Sequence, residues 1–294
     1  MYFEVLSKIF SESLLSLYPV FVKNIHLPLH LQLWSRFITY ILITSFFVDW
    51  GFIAKTMFSK NGLFLSFITI IHVYTSYRGF QLLESGIAYS LFYTYPLMIL
   101  LFAREPVNAM MFLAIIGVLL LSNDLSKYFE SSPTSNVKEG IQEDYVKQPS
   151  KSLDNIPMFP YEGYVMIALA AITEAIIYFI VRAIQTTNNW NHLFLSYFAG
   201  TLLFSFIGIR DIAKITLTSR LSMSLFINAI IGLCGYLLRF YAATRLSPAI
   251  YAPLSYVGIV MAYVYGFAFN GEQINAQKII GTLCILASIF KQNM

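Results

Sequence analysis

Ten runs of apolar residues, each close to the length of a membrane span, constrain the fold of this chain more than any other feature. They fall at roughly 5–22, 31–49, 62–80, 86–103, 107–122, 161–181, 192–209, 222–242, 247–269 and 274–290. A membrane-spanning helix takes roughly 20 apolar residues. The pattern therefore predicts an all-α membrane protein with ten transmembrane helices.

The composition excludes several classes of protein. Only 12% of the 294 residues are charged, whereas about a quarter are charged in a typical soluble domain. A soluble globular domain, a disordered chain, a coiled coil and a disulfide-stapled secreted domain are excluded. The formal net charge of +4 is spread thinly, so we expect no nucleic-acid partner. The N-terminal MYFEVLSKIF has no basic segment typical of a cleaved signal peptide, so we expect it to stay in the mature protein.

A polar stretch divides the apolar runs five and five. The segment from Ser122 to Pro160 is rich in Ser, Pro, Asn and charge, and has no sustained apolar period. Such a composition cannot bury a core, so we expect a flexible linker outside the membrane. The predicted organisation is a first repeat at 1–123, a linker at 124–160 and a second repeat at 161–294.

The two halves match weakly but in order, at a nearly constant offset of 161 to 164 positions. The matched groups are Glu12 with Glu174; Leu33, Ser35 and Phe37 with Phe194, Ser196 and Phe198; Leu83, Ile87, Leu91 and Tyr93 with Leu246, Ile250, Leu254 and Tyr256; and Ile115, Ile116, Gly117 and Leu119 with Ile279, Ile280, Gly281 and Leu283. Because each repeat has an odd number of helices, the two enter the membrane from opposite sides. Inverted repeats of this kind are how many secondary transporters build two access states around a midplane site.

Three motifs resemble the drug/metabolite transporter superfamily, and within it the EamA-like ten-helix proteins. The motifs are Leu33-Trp34-Ser35-Arg36-Phe37; Leu83 through Tyr95-Pro96 to Arg104-Glu105, followed by Gly117; and Leu246 through Pro248 and Pro253 to Leu254, followed by Gly271-Glu272 and Ile280-Gly281. The resemblance implies ten helices, alternating access, transport of a small metabolite and both termini in the cytosol. The Lys and Arg residues outside the linker are evenly divided between the two sides, so charge alone does not orient the chain.

Two carboxylates inside predicted spans are the first candidates for function. Glu12 and Glu174 occupy matched repeat positions. Burying a carboxylate in a spanning helix costs free energy, so such a residue indicates a functional site. We expect them to approach each other near the midplane, where one could exchange a proton and couple it to transport. The alternative is an internal ion pair for each, with Lys8 one turn before Glu12 and Arg182 eight residues after Glu174.

Two arginines and four tyrosines complete the candidate substrate-binding or coupling residues. Arg36 could hold an anionic substrate group, although we favour a position in which it reaches out to the membrane interface. Arg239 could line the mouth of the cavity beside Tyr241. The other tyrosines, Tyr77, Tyr93 and Tyr256, offer rings and hydroxyls to a ligand, or pack between helices.

The function that these features favour is secondary-active transport of a small metabolite, with protons or exchange as the driving force. The alternative is a channel-like protein or a membrane scaffold that transports nothing. No clustered catalytic residues and no metal-ligand spacing occur, so we expect no enzyme activity, no metal and no cofactor. We expect a monomer or a homodimer in a lipid bilayer, and the sequence does not identify the membrane or the substrate.

Overall fold

The computed structural model describes residues 2–18, 21–22, 25, 27–83, 85–105, 109–122, 157–159, 161–212, 218–270 and 276–292, and within these ranges the chain is helical without strands. The first half contains α1 (Tyr2–Leu15), α2 (Leu29–Thr44), α3 (Trp50–Thr56), α4 (Lys60–Leu82), α5 (Ser85–Phe92), α6 (Tyr95–Ala103) and α7 (Ala109–Ser122). The second half contains α8 (Glu162–Ala183), α9 (Asn189–Ile212), α10 (Ser219–Arg245), α11 (Pro248–Ser255), α12 (Val257–Asn270) and α13 (Ala276–Gln292). Each apolar run coincides with one helix or with two consecutive helices, so the prediction of an all-α protein is confirmed.

Several of these helices are suited to cross a membrane. By length and apolar composition, four segments of the described chain qualify: Glu162–Ala183, Asn189–Gly208, Leu221–Arg245 and Pro248–Phe269. A fifth is added if α3 and α4, which meet at an angle of 89°, count as one span. Large apolar side chains such as Phe46 and Phe206, each 84% exposed, cover the outside. The chain is therefore an integral membrane protein, while the full set of ten spans stays a prediction.

Two of the predicted spans are broken at corresponding places. The run 86–103 is divided into α5 and α6 at Tyr93 and Thr94, and the run 247–269 is divided into α11 and α12 at Tyr256. Proline lies next to both breaks, with Pro96 in the first turn of α6 and Pro253 inside α11. Proline has no backbone N–H and interrupts the helical hydrogen-bond ladder. The matched tyrosines thus lie at the two breaks rather than in continuous helices.

The most extensive helix packing joins the two halves. The main pairs are α4 with α8, α1 with α10, α2 with α9 and α7 with α13. Close approach in one of these pairs depends on Gly200, since a Cβ atom there would lie 2.0 Å from the Phe37 ring. The interior of the protein is consequently built from side chains of both halves.

The predicted linker at 124–160 lies outside the described residues except for residues 157–159, which are exposed. Directly after it, α8 begins at the buried Glu162. The Glu162 carboxylate accepts hydrogen bonds from Nε of Arg78 at 2.7 Å and from the backbone N–H of Met158 at 2.6 Å. This ion pair fixes the start of the second half against α4 of the first half.

Candidate functional site

A cluster of four buried charged side chains lies between α1, α8 and α10. Arg239 donates from Nη2 to Oε2 of Glu12 at 2.8 Å and from Nη1 to Oε1 of Glu174. Lys8, one helical turn before Glu12, donates to its Oε1. All four side chains are at most 3% exposed. We call Lys8, Glu12, Glu174 and Arg239 the charge cluster; its two positive and two negative charges compensate each other.

The cluster brings together both carboxylates that the sequence singled out, and it shows how they meet. Glu12 and Glu174 approach each other through the guanidinium of Arg239, which lies between them. Lys8 pairs with Glu12, as the ion-pair alternative expected. Arg182 does not pair with Glu174; it donates instead to the carbonyl oxygens of Ala243 at 2.8 Å and Leu246 at 2.6 Å. Arg239 takes the place that this alternative gave to Arg182, because α10 runs beside α1 and α8.

Aromatic side chains complete the surroundings of Glu12 and Lys8. The hydroxyl groups of Tyr93 and Tyr95 donate to Glu12 Oε2 and Oε1 at 3.0 and 3.1 Å. The ammonium of Lys8 lies 3.6 Å from the centroid of the Tyr251 ring, a cation–π contact. Both oxygens of Glu12 therefore accept two hydrogen bonds each, one of them from a cation.

Glu174 is less completely bonded than Glu12. Its Oε2 lies 3.1 Å from Nε2 of His72, yet it accepts no aligned hydrogen bond. The imidazole is aligned instead with the Tyr236 hydroxyl, 2.9 Å from Nε2, and with the carbonyl oxygen of Ala170, 3.1 Å from Nδ1. His72 of α4 thus contacts α8 through Ala170 and α10 through Tyr236. It also connects the charge cluster with the aromatic residues on its other side.

Arg36 lies in the middle of α2 and is buried, so the interfacial position that we favoured for it is wrong. It donates to the hydroxyl oxygens of Tyr77 at 3.2 Å and Tyr197 at 2.9 Å. Its guanidinium carbon lies 4.6 to 5.6 Å from the centroids of five tyrosine rings. These rings, which we call the tyrosine cage, belong to Tyr18, Tyr40, Tyr77, Tyr197 and Tyr236. They come from both halves of the chain.

A narrow cavity connects Arg36 with the charge cluster. Its volume is about 20 Å³, roughly the room that one water molecule needs. The polar lining consists of Tyr18, Arg36, His72, Ser76, Tyr77, Tyr89, Tyr93, Tyr236 and Arg239. Most of the lining from α1 and α4 lies in the C-terminal parts of these helices, so the cavity extends from the cluster toward that end of the bundle. At the opposite end, Lys8, Tyr95 and Tyr251 pack together.

Two predicted site residues lie apart from this cavity. Tyr241 packs at the end of α10 against Phe3 and the Arg245 guanidinium. Tyr256 is buried at the break between α11 and α12, and its hydroxyl has no hydrogen-bond partner among the described residues. Arg239 is found at the centre of the cluster instead of at the mouth of the cavity. In the part of the chain that the structure describes, no group of three His, Cys, Asp or Glu side chains is arranged to hold a metal ion.

Sequence reasoning missed several residues that the structure brings to the site. Tyr18 and Tyr40 carried no signal, and Tyr95 was noted only as part of the Tyr95-Pro96 motif. Tyr197 did carry a signal, since in the predicted second repeat it occupies the position that Arg36 has in the predicted first repeat. The two side chains are in direct contact. The difference between Arg36 and Tyr197 at matched positions could therefore have indicated the tyrosine cage.

Comparisons with known proteins agree with this architecture. The model of the EamA-like transporter family matches residues 162–291, which cover α8 to α13. A crystal structure of another protein, 15% identical, superposes on 97% of this chain and 94% of its own with a TM-score of 0.65. This likeness concerns the fold alone. No curated protein sequence matches the chain. The second half of the chain thus matches the EamA-like transporter family, and this match supports membership of the drug/metabolite transporter superfamily and a role as a membrane transporter of that type.

Proposed function

We propose that this protein is a secondary-active transporter that moves a small metabolite by alternating access of two inverted five-helix halves. The observation that carries the proposal is the bridge from Glu12 through Arg239 to Glu174. It joins the first helix of each half in a buried, polar centre, which is where inverted-repeat transporters place substrate and coupling sites.

The packing of the helices supports the inverted arrangement. In the inverted arrangement α1 corresponds to α8, and α4 corresponds to α10. Exchanging the halves therefore turns the pair α1 with α10 into the pair α8 with α4, and both pairs pack extensively. The pairs α2 with α9 and α7 with α13 are each turned into themselves. Arg36 and its repeat counterpart Tyr197 are in contact at 2.9 Å. Two symmetry-related residues can touch only near the axis that relates them, so the proposed pseudo-twofold axis passes beside Arg36.

The shape of the interior supports two access states. The cavity lies on one side of the charge cluster, and Lys8, Tyr95 and Tyr251 close the other side. In the proposed cycle, the closed side opens while the side of the cavity closes. The narrow gaps of the present state mean that its lining must also move apart before a metabolite can enter.

Of the two carboxylates, we propose Glu174 as the site of the coupling proton. All hydrogen-bonding positions of Glu12 are strongly occupied, whereas Oε2 of Glu174 faces an imidazole nitrogen at 3.1 Å without an aligned hydrogen bond. A proton added there stabilises the contact between Glu174 and His72. Its loss leaves a carboxylate oxygen opposite a ring nitrogen that already interacts with Tyr236.

Thiol accessibility tests alternating access directly. The native Cys234 and Cys284 are replaced by Ala, and single cysteines are introduced as S76C in the cavity and S7C on the closed side. Ser7 and Ser76 are both buried, so neither cysteine is simply exposed on the surface. We expect a membrane-impermeant thiol reagent to modify the two cysteines from opposite sides of the membrane, because each side opens in turn.

Other outcomes distinguish the alternative functions. Modification of both cysteines from the same side indicates a continuous channel, and modification of neither indicates a scaffold; both results overturn the proposal. The proton site is tested in the same assay. After correction for the ionisation of the thiol itself, the reaction of S76C should still depend on pH. E174Q should remove this remaining dependence, and E12Q should preserve it. Unchanged pH dependence in E174Q contradicts the assignment of Glu174.

A further inference from the structure

The guanidinium of Arg36 is a buried positive charge without a negative partner. It is 3% exposed, and no Asp or Glu side chain forms an ion pair with it among the described residues. The other buried cations differ in this respect: Lys8 and Arg239 pair with the cluster carboxylates, and Arg78 pairs with Glu162. A buried charge without a counter-charge is strongly unfavourable.

The tyrosine cage stabilises this charge but does not neutralise it. An aromatic ring attracts a cation through its quadrupole and carries no net charge. The two hydroxyl oxygens that contact Arg36 act as acceptors, which leaves the O–H of Tyr197 able to donate to a further group. The Nε of Arg36 is itself buried without a hydrogen-bond partner. The surroundings of Arg36 thus contain hydrogen-bond donors that have no acceptor among the described residues.

A charge count over the interior leads to the same result. Among the described residues around the cavity and the charge cluster, Lys8, Arg36 and Arg239 are positive, and Glu12 and Glu174 are negative, so one positive charge is uncompensated. Arg36 and Arg239 both line the cavity. A ligand with one negative charge would bring the interior to neutrality.

We propose that Arg36 binds the anionic group of the transported molecule, and that this molecule is a small organic anion with a single negative charge, of the carboxylate class. The planar guanidinium fork matches the two oxygens of a carboxylate. The inference names the substrate class of the proposed transporter and rests on that function for its meaning. Binding of the anion to Arg36 is nevertheless measurable without transport.

The test measures ligand binding to the full-length, purified chain by its effect on thermal unfolding in detergent. The probes are acetate and benzoate as carboxylates, inorganic phosphate as a more highly charged anion, and tetramethylammonium as a cation. The variants are R36M, which removes the charge, and R36K, which keeps the charge but not the fork. The matched control is R245M, because Arg245 is an exposed arginine at the end of α10.

We expect the carboxylates to stabilise the unmodified protein and R245M, and tetramethylammonium to stabilise neither. R36M should weaken carboxylate binding by about tenfold to a hundredfold, the range set by a charge-assisted hydrogen-bonded pair, and R36K should lie between. Without ligand, R36M should unfold at the same temperature or higher, because it removes an uncompensated charge. A purely structural arginine would instead destabilise the ligand-free protein when it is replaced.

Three results would overturn the proposal: equal carboxylate binding by R36M and the unmodified protein, stabilisation by phosphate or the cation alone, and no stabilisation by any probe. If R36M does not fold, R36K and R36Q supply the same comparison. Failure of this binding proposal is distinguishable from failure of the transport proposal. Opposite-sided thiol labelling without carboxylate binding leaves a transporter of another substrate, whereas Arg36-dependent binding without opposite-sided labelling leaves a binding site without alternating access.

Discussion

Removal of Arg239 is the sharpest test of the charge cluster, because this one side chain keeps two buried carboxylates together. Its guanidinium contacts both Glu12 and Glu174, and all three side chains are at most 3% exposed. In R239M, Lys8 remains as the cation of the cluster, and of the two carboxylates it pairs with Glu12 and not with Glu174. The substitution therefore leaves Glu174 buried, without its cation and opposite another carboxylate.

The size of the effect follows from the geometry. Two carboxylates bound to the same guanidinium are roughly 6 Å apart, and at an effective dielectric constant of about 20 they repel each other by about 3 kcal/mol. Breaking a buried pair by removing one partner costs about 3–5 kcal/mol, and we expect R239M to lose this amount of unfolding free energy. Adding E174Q removes one of the repelling charges. The double variant R239M/E174Q should therefore recover about 3 kcal/mol relative to R239M, within the range of coupling between contacting residues.

Denaturant titration of the purified chain in mixed micelles, followed by the helical circular dichroism signal, measures these differences. R245M, which changes an exposed arginine of the same helix, should alter the unfolding free energy by no more than about 0.5 kcal/mol. If the effects of R239M and E174Q simply add, Arg239 does not act as a bridge between two mutually repelling carboxylates. The account of the cluster would then be refuted.

Two further substitutions test the packing around the site. A Cβ atom at position 232 would lie 1.4 Å from the Tyr18 hydroxyl and 2.1 Å from that of Tyr40, so G232A should cost about 1–3 kcal/mol and weaken carboxylate binding through the displaced cage; unchanged binding would separate the cage from the site. R78M should destabilise the protein by about 3–5 kcal/mol, because it leaves the Glu162 carboxylate buried without its partner. The fraction that remains folded should bind carboxylates with unchanged affinity, since the Arg78 side chain does not line the cavity.

The helices were predictable where the apolar run was the only signal needed. Each run has its helix because a segment in lipid satisfies its backbone hydrogen bonds within itself. The short α3 was not predictable in this way, because its seven residues are fewer than a span requires. Its start depends on a local detail, the hydrogen bond from the Phe52 N–H to the Asp49 side chain at 3.1 Å. The apolar pattern did not predict the breaks at Tyr93 and Tyr256, which lie near Pro96 and Pro253.

The site was predictable to the extent that its residues are costly in a membrane. Glu12 and Glu174 stand out in apolar helices, and the structure places them together. Arg36 also stands out, but its depth depends on where α2 begins and ends, and the residue lies in the middle of the helix instead of near its start. The partners of these residues depend on how α2, α4, α9 and α10 pack across the two halves. No periodicity in the sequence encodes that packing.

The proposed repeat symmetry is broken at the residues that carry charge, and this bears on how the proposed transporter would work. Both halves supply a carboxylate to the cluster, yet only the second half supplies the bridging Arg239, and only the first supplies Arg36. If each half supplied its own arginine to the cluster, each half could move while keeping its own ion pair. A single guanidinium shared by Glu12 and Glu174 instead links any displacement of α1 to the position of α8. Because separating a buried pair costs about 3–5 kcal/mol, rocking of the two halves is favourable only along paths that keep Arg239 within reach of both carboxylates, which makes the cluster the pivot of the proposed motion.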